Sequence, residues 1–82
     1  MDRKNVTGWN IRQIRLRKGM TVHDLASALP PSAILAAGEV AEIELGSRKV
    51  YDYEIMGISR ALGVTVADLF FTPQKIVAKT PK

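Results

Sequence analysis

The sequence contains no cysteine, so disulfides and zinc–thiolate sites are both excluded and nothing points to an oxidising compartment. A single histidine, His23, cannot build a metal cluster alone, and neighbouring Asp24 does not share its face on a helix. No apolar run approaches the roughly 20 residues needed to span a bilayer, so no membrane partner is expected. The start, Met1-Asp2-Arg3-Lys4-Asn5, leads into an Arg-rich segment without the apolar core of a signal peptide, and a cytoplasmic protein is expected. There is no repeat and no low-complexity tract. Phosphate loops, nucleophile–base pairs and metal sets are also missing, so neither a cofactor nor an enzyme activity is expected.

Charge is unevenly placed. The net charge is +4 across 82 residues, enough chain for one small domain with a single core. Arg3, Lys4, Arg12, Arg15, Arg17 and Lys18 crowd the first part of the chain against Asp2 alone. Lys75, Lys79 and Lys82 follow Pro73 with no acid among them. Between residues 24 and 54 the sign reverses: Asp24, Glu39, Glu42, Glu44, Asp52 and Glu54 face only Arg48 and Lys49. Basic ends suit a polyanion, although charge runs also serve as solvated faces. The divisions expected are a basic arm at 1–6, a helical domain at 7–72 and a basic tail at 73–82.

Apolar spacing is helical almost throughout. Thr7 can cap a first helix in which Ile11 and Ile14 share a face, ending at Gly19 behind Arg17 and Lys18. Thr21-Val22-His23-Asp24 has capping-box chemistry and opens a second helix that buries Val22, Leu25, Ala26 and Leu29. Pro30-Pro31 stops it. A third helix either starts behind Ser32, or starts near Ala36 after an ordered loop and ends at Gly46. The second choice is favoured, because Gly38 in mid-helix would cost about 1 kcal/mol. A fourth helix is expected from Asp52 to Leu62, stopped by Gly63. Thr65-Val66-Ala67-Asp68 repeats the capping chemistry and predicts a short fifth helix through Phe70 or Phe71.

Three blocks together resemble the XRE family of helix-turn-helix proteins, which includes phage repressors and Cro. The first is Ile11-Arg12-Gln13-Ile14-Arg15-Leu16-Arg17-Lys18-Gly19-Met20-Thr21 with Asp24-Leu25-Ala26. The second is Ile43-Glu44-Leu45-Gly46-Ser47-Arg48. The third is Asp52-Tyr53-Glu54-Ile55, then Ala61-Leu62-Gly63-Val64-Thr65-Val66 and Asp68-Leu69-Phe70. The resemblance covers about residues 7 to 71. It implies an all-α, five-helix, repressor-like domain whose second and third helices form the helix-turn-helix, with the third lying in the major groove of double-stranded DNA.

Placed on this sequence, the resemblance assigns groove contacts to Ala36, Ala37, Gly38 and Glu39. It sets Thr21 and Val22 against the phosphate backbone and groove edge. Arg48, Lys49 and Arg12 become phosphate contacts, and Arg15 pairs with Glu44 to tie the first helix to the third. Val22 stands where the family often has Gln, and the connection between the second and third helices is longer than in compact repressors. Ala36, Ala37 and Gly38 offer no bidentate hydrogen bond to a base; alanine can meet a thymine methyl and Glu39 can accept from cytosine N4. Glu39, Glu42 and Glu44 repel phosphate unless they have other work.

The leading expectation is therefore a sequence-specific transcriptional regulator, acting as a homodimer through its fifth helix and tail around Phe71, Ile76 and Val77. The alternative is an antitoxin-like or adaptor module that keeps the scaffold for a protein partner. Among the remaining side chains, Trp9 is expected to cover the edge of the core, and Tyr51 and Tyr53 to pack at the start of the fourth helix.

Overall fold

The computed structural model describes residues 6–70. Among these, every regular element is helical: α1 at Val6–Arg17, α2 at Val22–Ala28, α3 at Ala37–Leu45 and α4 at Asp52–Leu62. Two single-turn 3-10 helices, Pro31–Ala33 and Ala67–Leu69, complete the chain path. The helix ends follow from local chemistry. Asp24 N–H donates to Thr21 Oγ1 at 3.0 Å and Thr21 N–H donates to Asp24 Oδ2 at 2.9 Å, a full capping box at the start of α2. At the end of α3, Gly46 takes φ 85°, which lets Ser47 N–H reach back to the Glu42 carbonyl at 3.0 Å. The first helix already includes Val6, so Thr7 lies within its first turn and does not cap it.

α1, α2, α3 and α4 enclose one core. It comprises Ile11 and Ile14 of α1, Leu25 of α2, Val40 and Ile43 of α3, and Ile55, Ile58 and Leu62 of α4, joined by Leu35 and Leu69. In α2 only Leu25 is fully buried, while Val22, Ala26 and Leu29 pack against the core's edge. A seven-residue helix presents a narrow face, so one residue carries its burial. Trp9 is half-buried, whereas Tyr51 and Tyr53 are exposed and stack on each other with ring centroids 6.1 Å apart.

The expected fifth helix is not an α-helix. The Thr65–Asp68 cap forms in both directions, but the bonds up to Phe70 run i to i+3. The Leu69 carbonyl accepts from Asn10 Nδ2 at 2.9 Å, in the buried contact between α1 and the 67–69 turn. Among the described residues, four α-helices and two 3-10 turns therefore replace the five-helix expectation. Of the arm expected at 1–6, Val6 belongs to α1 and residues 1–5 lie outside the described residues, as do Phe71 and the tail with Ile76 and Val77.

The link between α2 and α3, residues 29–36, is longer than the roughly 3–4-residue turn of a compact helix-turn-helix. It is anchored by burial: Ala33 is 1% exposed and Leu35 4%. Ala33 sits so close to α4 that a Cβ added to Gly57 would lie 2.5 Å from the Ala33 Cβ. Gly57 thus offsets its poor helix propensity by admitting the connection.

Gly57→Ala should therefore lower stability by about 1–2 kcal/mol, the overpacking outweighing the gain in helix propensity. Urea denaturation checks this, and Ala33→Gly in the same chain should recover more than half of the loss. An alanine variant as stable as the parent would refute the close approach.

Candidate nucleic-acid interface

The start of α3 is the segment to which the groove contacts were assigned, and its side chains are small. Ala36 is the N-cap residue and is exposed, Ala37 is half-buried, and Gly38 is exposed. A Cβ built on Gly38 meets nothing within 4 Å, so the fold itself places no demand for glycine there. The outward line along α3 continues through Ala41, Glu42 and Leu45, with Leu45 73% exposed. None of these side chains is a hydrogen-bond donor.

The acids of α3 divide into distinct roles. Glu44 is buried and receives a bidentate pair from Arg15: Nε to Oε2 at 2.7 Å and Nη2 to Oε1 at 2.9 Å. Arg15 Nη1 also donates to the Met20 carbonyl at 2.7 Å, so one guanidinium joins α1, the turn after it and α3. The hydrogen bonds it donates to Glu44 raise the Arg15 pKa above its ordinary value, against the opposing effect of burial. Glu39 turns back on its own helix, where its Oε1 accepts from Ala36 N–H at 2.9 Å. That is half of a capping box, since the alanine side chain cannot reciprocate. The structure thus gives Glu39 a helix-capping contact, which competes with the cytosine contact expected of it. Glu42 is exposed to solvent.

Arg48 is likewise occupied. Its Nη1 donates to Glu54 Oε1 at 3.0 Å and to the Lys49 carbonyl at 2.7 Å, and its Nη2 donates to Glu54 Oε2 at 3.1 Å. Nη2 also lies 3.8 Å from Glu39 Oε2, and the guanidinium sits 6.0 Å from the Tyr51 ring centroid. The hydrogen bond to Arg48 holds the buried Glu54 carboxyl below its ordinary pKa, against desolvation, with Tyr51 N–H adding a second hydrogen bond at 3.0 Å. The same contact raises the Arg48 pKa.

Lys49 and Arg12 are exposed, and neither makes an ion pair among the described residues. Thr21 is exposed at the N-cap of α2, while Val22 is partly buried at the core's edge. The structure therefore gathers Glu39, Arg48, Tyr51 and Glu54 where α3 and α4 begin, and leaves Lys49 outside that cluster. Glu54 had no functional assignment from sequence. Its signal was present in the spacing Tyr51-x-x-Glu54, which matches Ala36-x-x-Glu39 but lacks the Ser, Thr, Asp or Asn that marks a cap. Among the described residues no cluster of His, Cys, Asp and Glu could hold a metal, and no helix is long and apolar enough to cross a membrane.

Removing one partner from the nearly buried Arg15–Glu44 pair strands the other charge, which typically costs about 3–5 kcal/mol. Glu44→Ala should thus destabilise by well over about 1 kcal/mol in urea, beyond the range of an exposed pair. Because the folded-state pKa of Glu54 is depressed, its stabilisation is present above the unfolded pKa and is lost as pH falls through the folded one. Glu54→Gln should accordingly lose less stability than the parent between neutral and acid pH. Equal losses in paired urea titrations would contradict that.

No family model matches the chain, and no curated protein matches it. Among solved structures it is similar to the clp gene regulator ClgR from C. glutamicum, with 27% sequence identity and a TM-score of 0.71. The match covers 95% of this chain and 94% of that one, so the likeness to a gene regulator runs through nearly the whole of both.

Proposed function

We propose that this chain is a sequence-specific transcriptional regulator of the XRE type, laying α3 in the major groove as a homodimer. The observation that carries the reading is the likeness to a gene regulator over nearly the full length, at 27% identity. The α2–α3 pair, with Thr21 exposed at the start of α2, supports it. The reading has no catalytic step and needs no cofactor. Specificity has to come from methyl contacts, Glu39 and DNA shape, because the exposed face of α3 has no side-chain donors. Affinity comes mainly from phosphate contacts, which position the protein without specifying sequence.

A protein-interaction module is the second reading. The exposed apolar side chains of Leu45 (73% exposed) and Ile34 (77% exposed) favour it.

Titration of the full chain with a random-sequence duplex library at low salt separates the two. The regulator reading expects enrichment of a sequence subset and a steep salt dependence. Lys49→Ala should weaken binding to all duplexes alike and flatten log K against log[salt] by about 0.9. Absence of both binding and enrichment would overturn the regulator reading in favour of a protein partner. The homodimer is tested separately by light scattering, since a two-fold pair would set two α3 helices roughly 34 Å apart. A monomer at high concentration would remove that geometry.

A further inference from the structure

One connected set of polar contacts spans the start of α3, the 46–51 loop and the start of α4. Ala36 N–H donates to one oxygen of Glu39, whose other oxygen lies 3.8 Å from Arg48. Arg48 forks onto both oxygens of Glu54, and Glu54 Oε1 also accepts from Tyr51 N–H. Each carboxylate therefore caps its own helix and faces the same guanidinium. The Arg48 side chain is only 23% exposed, and that of Glu54 4%. Two carboxylates surround this one cation, so a phosphate approaching it meets no net positive charge. A planar fork with five donors fits such a junction, whereas a lysine ammonium can reach only part of it.

We infer that Arg48 is a positioning residue: it latches the first turn of α3 to the first turn of α4, and leaves Lys49 as the loop's phosphate-facing cation. The latch acts on the segment from Ala36 to Glu39. Its effect on DNA specificity rests on the regulator reading; the latch itself does not. Losing the fork loosens the angle at which α3 enters the groove without changing how many phosphates the protein neutralises. The loss thus falls on the preferred sequence and spares binding that is only electrostatic.

The test uses the full chain with Arg48→Lys, Glu54→Gln and Lys49→Ala, each verified as folded by circular dichroism at the assay temperature. Affinity is read by anisotropy on the library-enriched duplex and on a random duplex, across a salt series. Arg48→Lys and Glu54→Gln should each lower affinity for the enriched duplex by about tenfold or more, the scale of one lost charge-assisted contact. Their random-duplex affinity and salt slope should match the parent, while Lys49→Ala flattens the slope by about 0.9. Parent-like specificity in Arg48→Lys overturns the assignment. So does a Glu54→Gln variant that binds more tightly with a steeper slope, since that would mark Arg48 as a phosphate contact freed from its mask.

Hydrogen exchange gives a readout independent of DNA. The Glu39 and Val40 amides should exchange several-fold faster in Arg48→Lys and Glu54→Gln, with the Ile14 amide unchanged. Unaltered exchange at Glu39 and Val40 refutes the latch whether or not DNA binds. A parent that binds no duplex while both variants show the faster exchange overturns the regulator reading and leaves the latch standing.

Discussion

The Arg15–Glu44 pair is the constraint on which the placement of α3 depends. A buried ion pair of this kind adds little net stability, because desolvating both charges offsets most of their attraction. It restricts the alternatives instead. With both Glu44 oxygens held by Arg15, and Arg15 also held by the Met20 carbonyl, α3 cannot rotate about its axis or slide along α1 without stranding a charge. Glu44 lies near the end of α3 and Glu39 near its beginning. The helix is thus tethered to arginines at both ends, tightly at Glu44 and more loosely at Glu39. Two acids that look hostile to a phosphate surface serve as attachment points, and only Glu42 is left to solvent.

Helix boundaries were readable because they rest on local chemistry. Thr21 with Asp24, the proline pair after Leu29, and Gly46 and Gly63 each act within a few residues of where they stand. The core was readable from spacing for the same reason. The Arg15–Glu44 pairing followed only from the family resemblance, since nothing local connects positions 29 apart. Three features depended on contacts that only the folded chain creates. Nothing local to α4 marks Gly57, which has to be small because the 29–36 connection lies on it. The expected fifth α-helix is a single 3-10 turn at Ala67–Leu69, whose Leu69 carbonyl accepts from Asn10, 59 positions away. Arg48 looked like a free surface cation until the loop folded it onto Glu54.

These features place stability on residues away from the outward line of α3. The fold is held by Arg15, Glu44, Gly57 and the apolar core. The outward line of α3 carries Gly38, Glu42 and Leu45, all exposed, with the half-buried Ala41 beside them. That face is therefore free to change without unfolding the domain, and a related scaffold can keep its architecture while its partner changes.

The Asn10–Leu69 hydrogen bond also has a topological consequence. It ties the first helix, a turn after its start at Val6, to the residue just before Phe70, so the described domain is entered and left at one pole. A module whose two ends meet can be spliced into a surface loop of a host protein with little distortion of either partner. It is equally suited to circular permutation, in which a short peptide would join the ends of the described segment.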